Sequence, residues 1–323
     1  MQLNNQFFST PDLEAAIDRS PLIITPETYL TDAIALMSQI RGSGCLLPSE
    51  DKSLELFLHS KASSSCALVM DGANLLGILT ERDIVKLTAA EIKFDSVKVS
   101  QVMTKPVVSL AQTNFQNVFA ALFLFRRYQI RHLPIVDDNN HLVGVVSPGT
   151  IRQAMRPVNL LKLRRVADVM SKTVVHAPLN ISVLQLAQMM TQLAVSCIVI
   201  TEEDREENIL IPVGIITERD IIQFQSLQLK LDKILAKEVM STPLSLLSPE
   251  DSLITAHQEM QRRRVRRLVV SWNWGQGLGI VTQTSLLRIF EPMEMYGVIE
   301  TMQQTIQELE QEKARLLAML NQQ

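Results

Sequence analysis

The sequence predicts an α+β fold: four repeated β-α-β-β-α units, paired into two modules and followed by a C-terminal coiled-coil helix. Three observations carry that prediction. The stretch Gly77-Ile78-Leu79-Thr80-Glu81-Arg82-Asp83-Ile84-Val85-Lys86 returns almost letter for letter as Gly214-Ile215-Ile216-Thr217-Glu218-Arg219-Asp220-Ile221-Ile222-Gln223. Weaker copies begin at Gly144 and Gly279, so successive glycines stand 67, 70 and 65 residues apart (77 to 144, 144 to 214, 214 to 279). A fixed period of that size marks a repeated supersecondary unit. After Pro292, Ile299, Met302, Ile306, Leu309, Leu316 and Leu320 recur at alternating three- and four-residue steps, a heptad seam broken by Lys313.

The elements follow in order. Residues 1–20 read as a polar lead-in with a short helical piece, Pro11 to Arg19. The first unit (21–95) opens with the apolar strand Pro21 to Thr25, ended by Pro26. Leu30, Ala33, Ile34 and Met37 at helical spacing make a helix over Thr28 to Ile40. Residues 41–63 are an insertion the other units lack. Cys66 to Met70 and Leu75 to Leu79, separated by Asp71-Gly72, read as a hairpin, and a helix starts after Thr80. The second unit (96–156) repeats this with Pro106 to Leu110, a helix from Asn117 to Arg127, a hairpin around Asp137 to Asn140, and a helix from Pro148. The third (157–226) has Thr173 to Pro178, a helix from Val183 to Leu193, and strands either side of the acidic Glu202 to Glu207 loop. The fourth (227–291) has Pro243 to Leu247, a helix from Asp251 to about Arg263, and a last hairpin. The linkers before units two to four share a phrase, Val102-Met103-Thr104, Val169-Met170-Ser171 and Val239-Met240-Ser241. Units this small bury little apolar surface alone, so pairing is expected. Residues 292–323 form the coiled-coil helix, whose alternative is a helix folded back onto the body.

Bulk properties narrow the function. No apolar run in the 323 residues reaches the roughly 18 that a membrane span needs. The N-terminus lacks a signal-peptide pattern. The three cysteines, Cys45, Cys66 and Cys197, are odd in number and without metal spacing, which points to reduced thiols and a cytoplasmic location. A net charge of −3 and 5% aromatic content argue against a nucleic-acid partner, despite the run Arg262-Arg263-Arg264-Val265-Arg266-Arg267. Nucleophile elbows, phosphate-cradling loops, kinase signatures and paired catalytic carboxylates are absent from the sequence, so the chain is expected not to be an enzyme. Its five histidines fall in no metal or catalytic spacing, and most are expected at surfaces and strand ends.

Thr80-x-x-Asp83 and Thr217-x-x-Asp220 directly follow a buried strand. A hydroxyl followed three residues later by an acid caps a helix. The same geometry can serve a ligand: free N–H groups suit a phosphate, and the carboxylate can accept both hydroxyls of a ribose. From the residues alone, cap and ligand site stay open. In the weaker copies Ser147 is followed by Thr150 and Thr282 by Ser285, which supply no charged acceptor. Arg131 in the second unit and Arg266 in the fourth could bind a phosphate, since a guanidinium fork matches phosphate oxygens.

The unit order, the Val-Met-Thr/Ser phrase, the Gly-x-x-Thr-x-x-Asp ending and the run Arg131-His132-Leu133-Pro134-Ile135-Val136 resemble the cystathionine-β-synthase-like (CBS) domain family, over residues 21 to about 290. The resemblance implies two modules, 21–156 and 168–290, each with an inter-unit cleft for an adenine nucleotide or related adenosyl ligand. It implies that the threonine meets phosphate or ribose oxygen and the aspartate the ribose diol, giving one competent site per module, from units one and three. The expected site residues are therefore Thr80, Asp83, Thr217, Asp220, Arg131, Arg266, Ser147 and Thr282. No covalently bound cofactor and no metal ligands are expected, with magnesium an optional companion of the nucleotide. The implied role is a sensor acting through its C-terminal helix on a signalling output domain beyond residue 323, such as a histidine kinase or diguanylate cyclase. A homodimer through modules and coiled coil is expected. The competing reading is a ligand-free interaction scaffold.

Overall fold

The computed structural model describes residues 13–39, 65–114, 118–155, 161, 164–204, 209–272 and 277–290. The insertion at 41–63, Cys45, Trp274 and the heptad segment 292–323 lie outside the described residues. Four three-stranded sheets share one topology, a central strand with a parallel neighbour on one side and an antiparallel one on the other. In the first unit these are β1 (Leu22–Ile24), β2 (Cys66–Asp71) and β3 (Asn74–Thr80), with α1 (Leu30–Gln39) and α2 (Glu81–Ala89). A short α3 (Val99–Val102) leads to the second unit: β4 (Leu110–Ala111), α4 (Val118–Tyr128), β5 (Leu133–Val136), β6 (Leu142–Val146) and α5 (Pro148–Met155). Then come α6 (Val166–Val169) and the third unit, β7 (His176–Pro178), α7 (Val183–Gln192), β8 (Cys197–Asp204), β9 (Ile209–Thr217) and α8 (Glu218–Ser226). Finally α9 (Ala236–Val239) precedes β10 (Leu246–Leu247), α10 (Leu253–Arg262), β11 (Arg267–Trp272), β12 (Gly277–Thr282) and α11 (Gln283–Leu286).

Two expectations are corrected. The lead-in helix is a single 3₁₀ turn at Glu14–Ala16 among the described residues. The opening strands of the second, third and fourth units begin later than their apolar runs suggest, at Leu110, His176 and Leu246, where the parallel register with the central strand starts.

The strands are apolar on both faces because both faces are covered. Along β2, Ala67 and Val69 pack with Ile34 and Ile84 of their own unit. Cys66 and Leu68, on the other face, pack with Val145 of the second unit. Cys197 and Val199 likewise meet Val269 and Ile280 of the fourth. Units one and two, and units three and four, are therefore paired through their sheets. The two modules meet through helices. Val85 of the first unit is buried in the third unit's core and Ile222 of the third in the first's. The second and fourth units share one core, in which Ile151 and Val118 join Leu253, Ala256 and Leu287.

In three of the four copies the opening glycine gives room to the linker methionine. A Cβ on Gly77 would lie 2.4 Å from Met103 Sδ, and one on Gly214 2.2 Å from Met240 Sδ. Gly279 accepts Met170 in the same way, at 3.0 Å. Backbone bridges Ile78 to Thr104, Ile215 to Ser241 and Ile280 to Ser171 hold these linkers down. At Gly144 the place is filled by the lead-in, with Asp18 bridged to Val145. The segment preceding the first unit thus seals the second. None of the helices in the described residues is long and apolar enough to cross a membrane.

Candidate binding cavity

Each copy turns directly from strand to helix, and all four turns are capped alike. The Thr80 backbone N–H and hydroxyl donate to Asp83 Oδ2 at 2.9 and 2.7 Å, and Asp83 N–H donates back to Thr80 Oγ1 at 3.4 Å. Thr217 and Asp220 repeat this at 2.7, 2.8 and 3.4 Å. Where the acid is missing, a hydroxyl replaces it: Ser147 N–H donates to Thr150 Oγ1 at 2.9 Å, and Thr282 N–H to Ser285 Oγ at 3.2 Å. In both acidic corners the cap uses only Oδ2, leaving Oδ1 as an acceptor for another donor. Burial pushes the Asp220 carboxyl above its ordinary range, against the pull of its Thr217 hydrogen bonds and of Arg267 and Arg219.

The sequence suggests one cleft per module. The structure shows a cavity of about 1090 Å³ whose walls come from all four units. It collects Thr80, Asp83, Arg131, Ser147, Arg266 and Thr282. Thr217 and Asp220 are outside its lining, although the neighbouring Glu218 and Arg219 belong to it.

The walls are electrically lopsided. From units one and three come three bases, Arg82, Lys86 and Arg219, and three acids, Glu81, Asp83 and Glu218. From units two and four come Arg131, Arg152, Arg264, Arg266, Arg267 and Arg288, with no carboxylate among the described residues. Arg262 and Arg263, the other members of the basic run, turn outward to Glu259, at 2.9 and 3.0 Å. The run is therefore split between surface and cavity instead of forming one patch for a nucleic acid.

Glu81 and Glu218, which the sequence reading passed over, lie at the module boundary. Glu218 is 3% exposed and is approached by Arg82 at 3.4 Å and Arg131 at 3.5 Å, both from the other module. Glu81, 7% exposed, has Arg219 and Arg266 each at 3.8 Å, again from the other module. The two arginines expected to hold phosphate thus hold buried glutamates. Arg266 also donates to Ser65 Oγ. Burial lowers the Arg131 pKa and Glu218 raises it; since the side chain still borders open cavity, it remains a charged donor there. The verbatim recurrence of Glu-Arg beside each capping acid was the signal that could have revealed this clasp.

One further residue departs from expectation. His257 is buried at 9% exposure rather than at a surface, and its Nδ1 accepts from Arg152 Nη1 at 3.3 Å. Burial and the adjacent guanidinium lower its pKa, keeping it neutral and able to accept. His132 lines the cavity. Neither Cys66 nor Cys197 forms a disulfide and both thiols are buried; burial raises the Cys197 pKa, which makes it unreactive. Among the described residues no cluster of histidine, cysteine or acidic side chains could hold a metal ion.

Known proteins match along this architecture. An uncharacterized 17.7 kDa protein of Acidianus ambivalens is 35% identical over 112 residues, 34% of this chain and 66% of that protein. The CBS domain-containing protein YhcV of Bacillus subtilis is 41% identical over 83 residues, 26% of this chain and 57% of that one. The chain therefore spans less than two thirds of either relative's length. The crystal structure of MJ1225 from Methanocaldococcus jannaschii, described as a putative archaeal homolog of g-AMPK, superposes with a TM-score of 0.69 at 17% identity, covering 87% of this chain and all of that one. That likeness is one of fold. The CBS domain family itself matches at residues 13–90, 99–157, 166–226 and 236–291, one match per unit and together most of the sequence, so the chain belongs to the CBS domain family.

Proposed function

We propose that the chain is a regulatory sensor that binds an adenine nucleotide or related adenosyl ligand in this cavity. The observation that carries the reading is the Asp83 corner: a carboxylate whose cap leaves one oxygen over, on the wall of a cavity also lined by Arg131 and Arg266. A ribose diol would donate to that oxygen while the phosphates take the guanidiniums. Asp220 offers the same corner in the third unit. Because Arg131 and Arg266 hold Glu218 and Glu81 of the opposite module, a phosphate that recruits them competes with the contacts joining the modules. Binding and module packing are then coupled, and the coupling is reciprocal. We extend the reading to a change passed through the 292–323 helix to an output domain, in a homodimer, with magnesium accompanying a di- or triphosphate.

Calorimetric titration with AMP, ADP, ATP and S-adenosylmethionine tests this on the wild type, Asp83→Ala, Asp220→Ala and the double variant. Selective binding must also raise the melting temperature. Unchanged binding in the double variant would overturn the reading. The caps form without a ligand, and this favours a second reading, a ligand-free scaffold. That reading predicts no binding by the wild type.

A further inference from the structure

The repeat itself exposes an anomaly. Eight residues after the opening glycine, three copies place Val85, Ile222 and Leu287, each buried in the helix contact between opposed units. In the second copy that position is Arg152, 8% exposed, on the cavity wall. Its only hydrogen bond among the described residues is to the neutral imidazole of His257 in the fourth unit, and its Nε is buried with no partner. Among the described residues the second and fourth units place no carboxylate on the wall. Burying a cation without a counter-charge is unfavourable, and the fold shows three times over that an apolar residue serves there. An anion is what the site lacks.

We propose that the end of the cavity between the second and fourth units is a separate oxyanion site, anchored by Arg152 and flanked by Arg288 and the hydroxyls of Ser147 and Thr284. Its ligand class is a phosphoryl oxyanion without a ribose requirement. No acid-bearing corner stands at this end, so nothing there grips a diol. Two sources share the chemistry: a free polyphosphate, or the phosphate tail of a nucleotide whose sugar sits at Asp83. The inference rests on Arg152 and does not need the adenosyl reading.

The test titrates the full chain with tripolyphosphate, adenosine and ATP at fixed ionic strength, as wild type and Arg152→Met. Tripolyphosphate binding is expected to weaken at least tenfold in the variant, with adenosine unchanged. If tripolyphosphate is silent but ATP weakens tenfold in the variant, the same anchor holds a nucleotide's tail. If neither polyanion responds to Arg152→Met, the site does not exist. Absence of adenosine binding by the wild type would remove the adenosyl reading and leave this one standing. Removing the buried charge is also expected to raise the ligand-free melting temperature, whereas a drop would show that Arg152 is held by the protein alone. Should Arg152→Met not fold, the exposed Arg288→Gln serves: a threefold or greater loss of polyanion binding supports the site, and no loss refutes it.

Discussion

After the hydroxyl that ends the third strand of each unit, the first and third units continue Glu-Arg-Asp, whereas the second continues Pro-Gly-Thr and the fourth Gln-Thr-Ser. All four nevertheless start their helices with the same pair of backbone and side-chain bonds. A hydroxyl therefore does what the aspartate does for the fold, without bringing a charge into a half-buried corner. The carboxylates are surplus to folding, and the glutamates beside them are engaged across the module boundary. One half of the cavity mixes acids and bases, and the other is purely basic. On the proposed readings the first half would take a sugar and the second an anion.

The largest expected effect tests whether the acidic half is the sugar site. Asp83→Ala removes two charge-assisted acceptor contacts, each worth about 1.5 kcal/mol or more. Calorimetry should show adenosine affinity falling by about a hundredfold, whereas Thr150→Ala in the hydroxyl half should change it less than threefold.

Next in size is the packing behind the corners. Gly214→Ala drives a methyl into Met240, where the gap to Sδ is 2.2 Å, and should cost about 1–3 kcal/mol of unfolding free energy. Gly279→Ala meets Met170 Sδ at 3.0 Å and should cost less. Urea denaturation gives both values, and equal losses would break the distinction between the units.

Smaller again is the clasp. Glu218→Gln keeps the shape but releases Arg82 and Arg131, both on the cavity wall. Unfolding free energy should fall by at most about 1 kcal/mol, while AMP binding tightens several-fold. Weaker AMP binding would mean that Glu218 positions Arg131 instead of competing for it.

The smallest effect is electrostatic. A carboxyl whose folded pKa is raised binds more protons folded than unfolded, so its contribution to stability declines as pH rises past the ordinary aspartate value of 3.8. Asp220→Asn keeps a cap acceptor and removes that liability. Its melting temperature should exceed the wild type's at pH 7, and the difference should shrink toward pH 4. A difference independent of pH would show that Asp220 is not destabilised by burial.

The repeat made much of this legible. Four copies of one phrase located every strand-to-helix turn, and the loss of the acid in two of them separated the halves before any coordinates. Joining of the modules was not legible, because it depends on which apolar face of α2 meets α8, and Val85 and Ile222 look like ordinary core residues in the sequence. The late start of β4, β7 and β10 was hidden for a similar reason. Pro106 to Leu110 is apolar throughout, but pairing on the central strand decides where a strand begins. Arg152 was visible in principle, since aligning the copies sets it against Val85, Ile222 and Leu287, two residues past the position of the capping acid.

The lead-in's attachment has a practical consequence for dividing the molecule. Because Asp18 is bridged to Val145 and backs onto Gly144, a fragment cut at residue 21 would strip a covering strip from the far half of its own module. Pieces intended to stand alone should start ahead of Leu13, and a tag or fusion placed at that end would report on the second unit, over a hundred residues further along the chain.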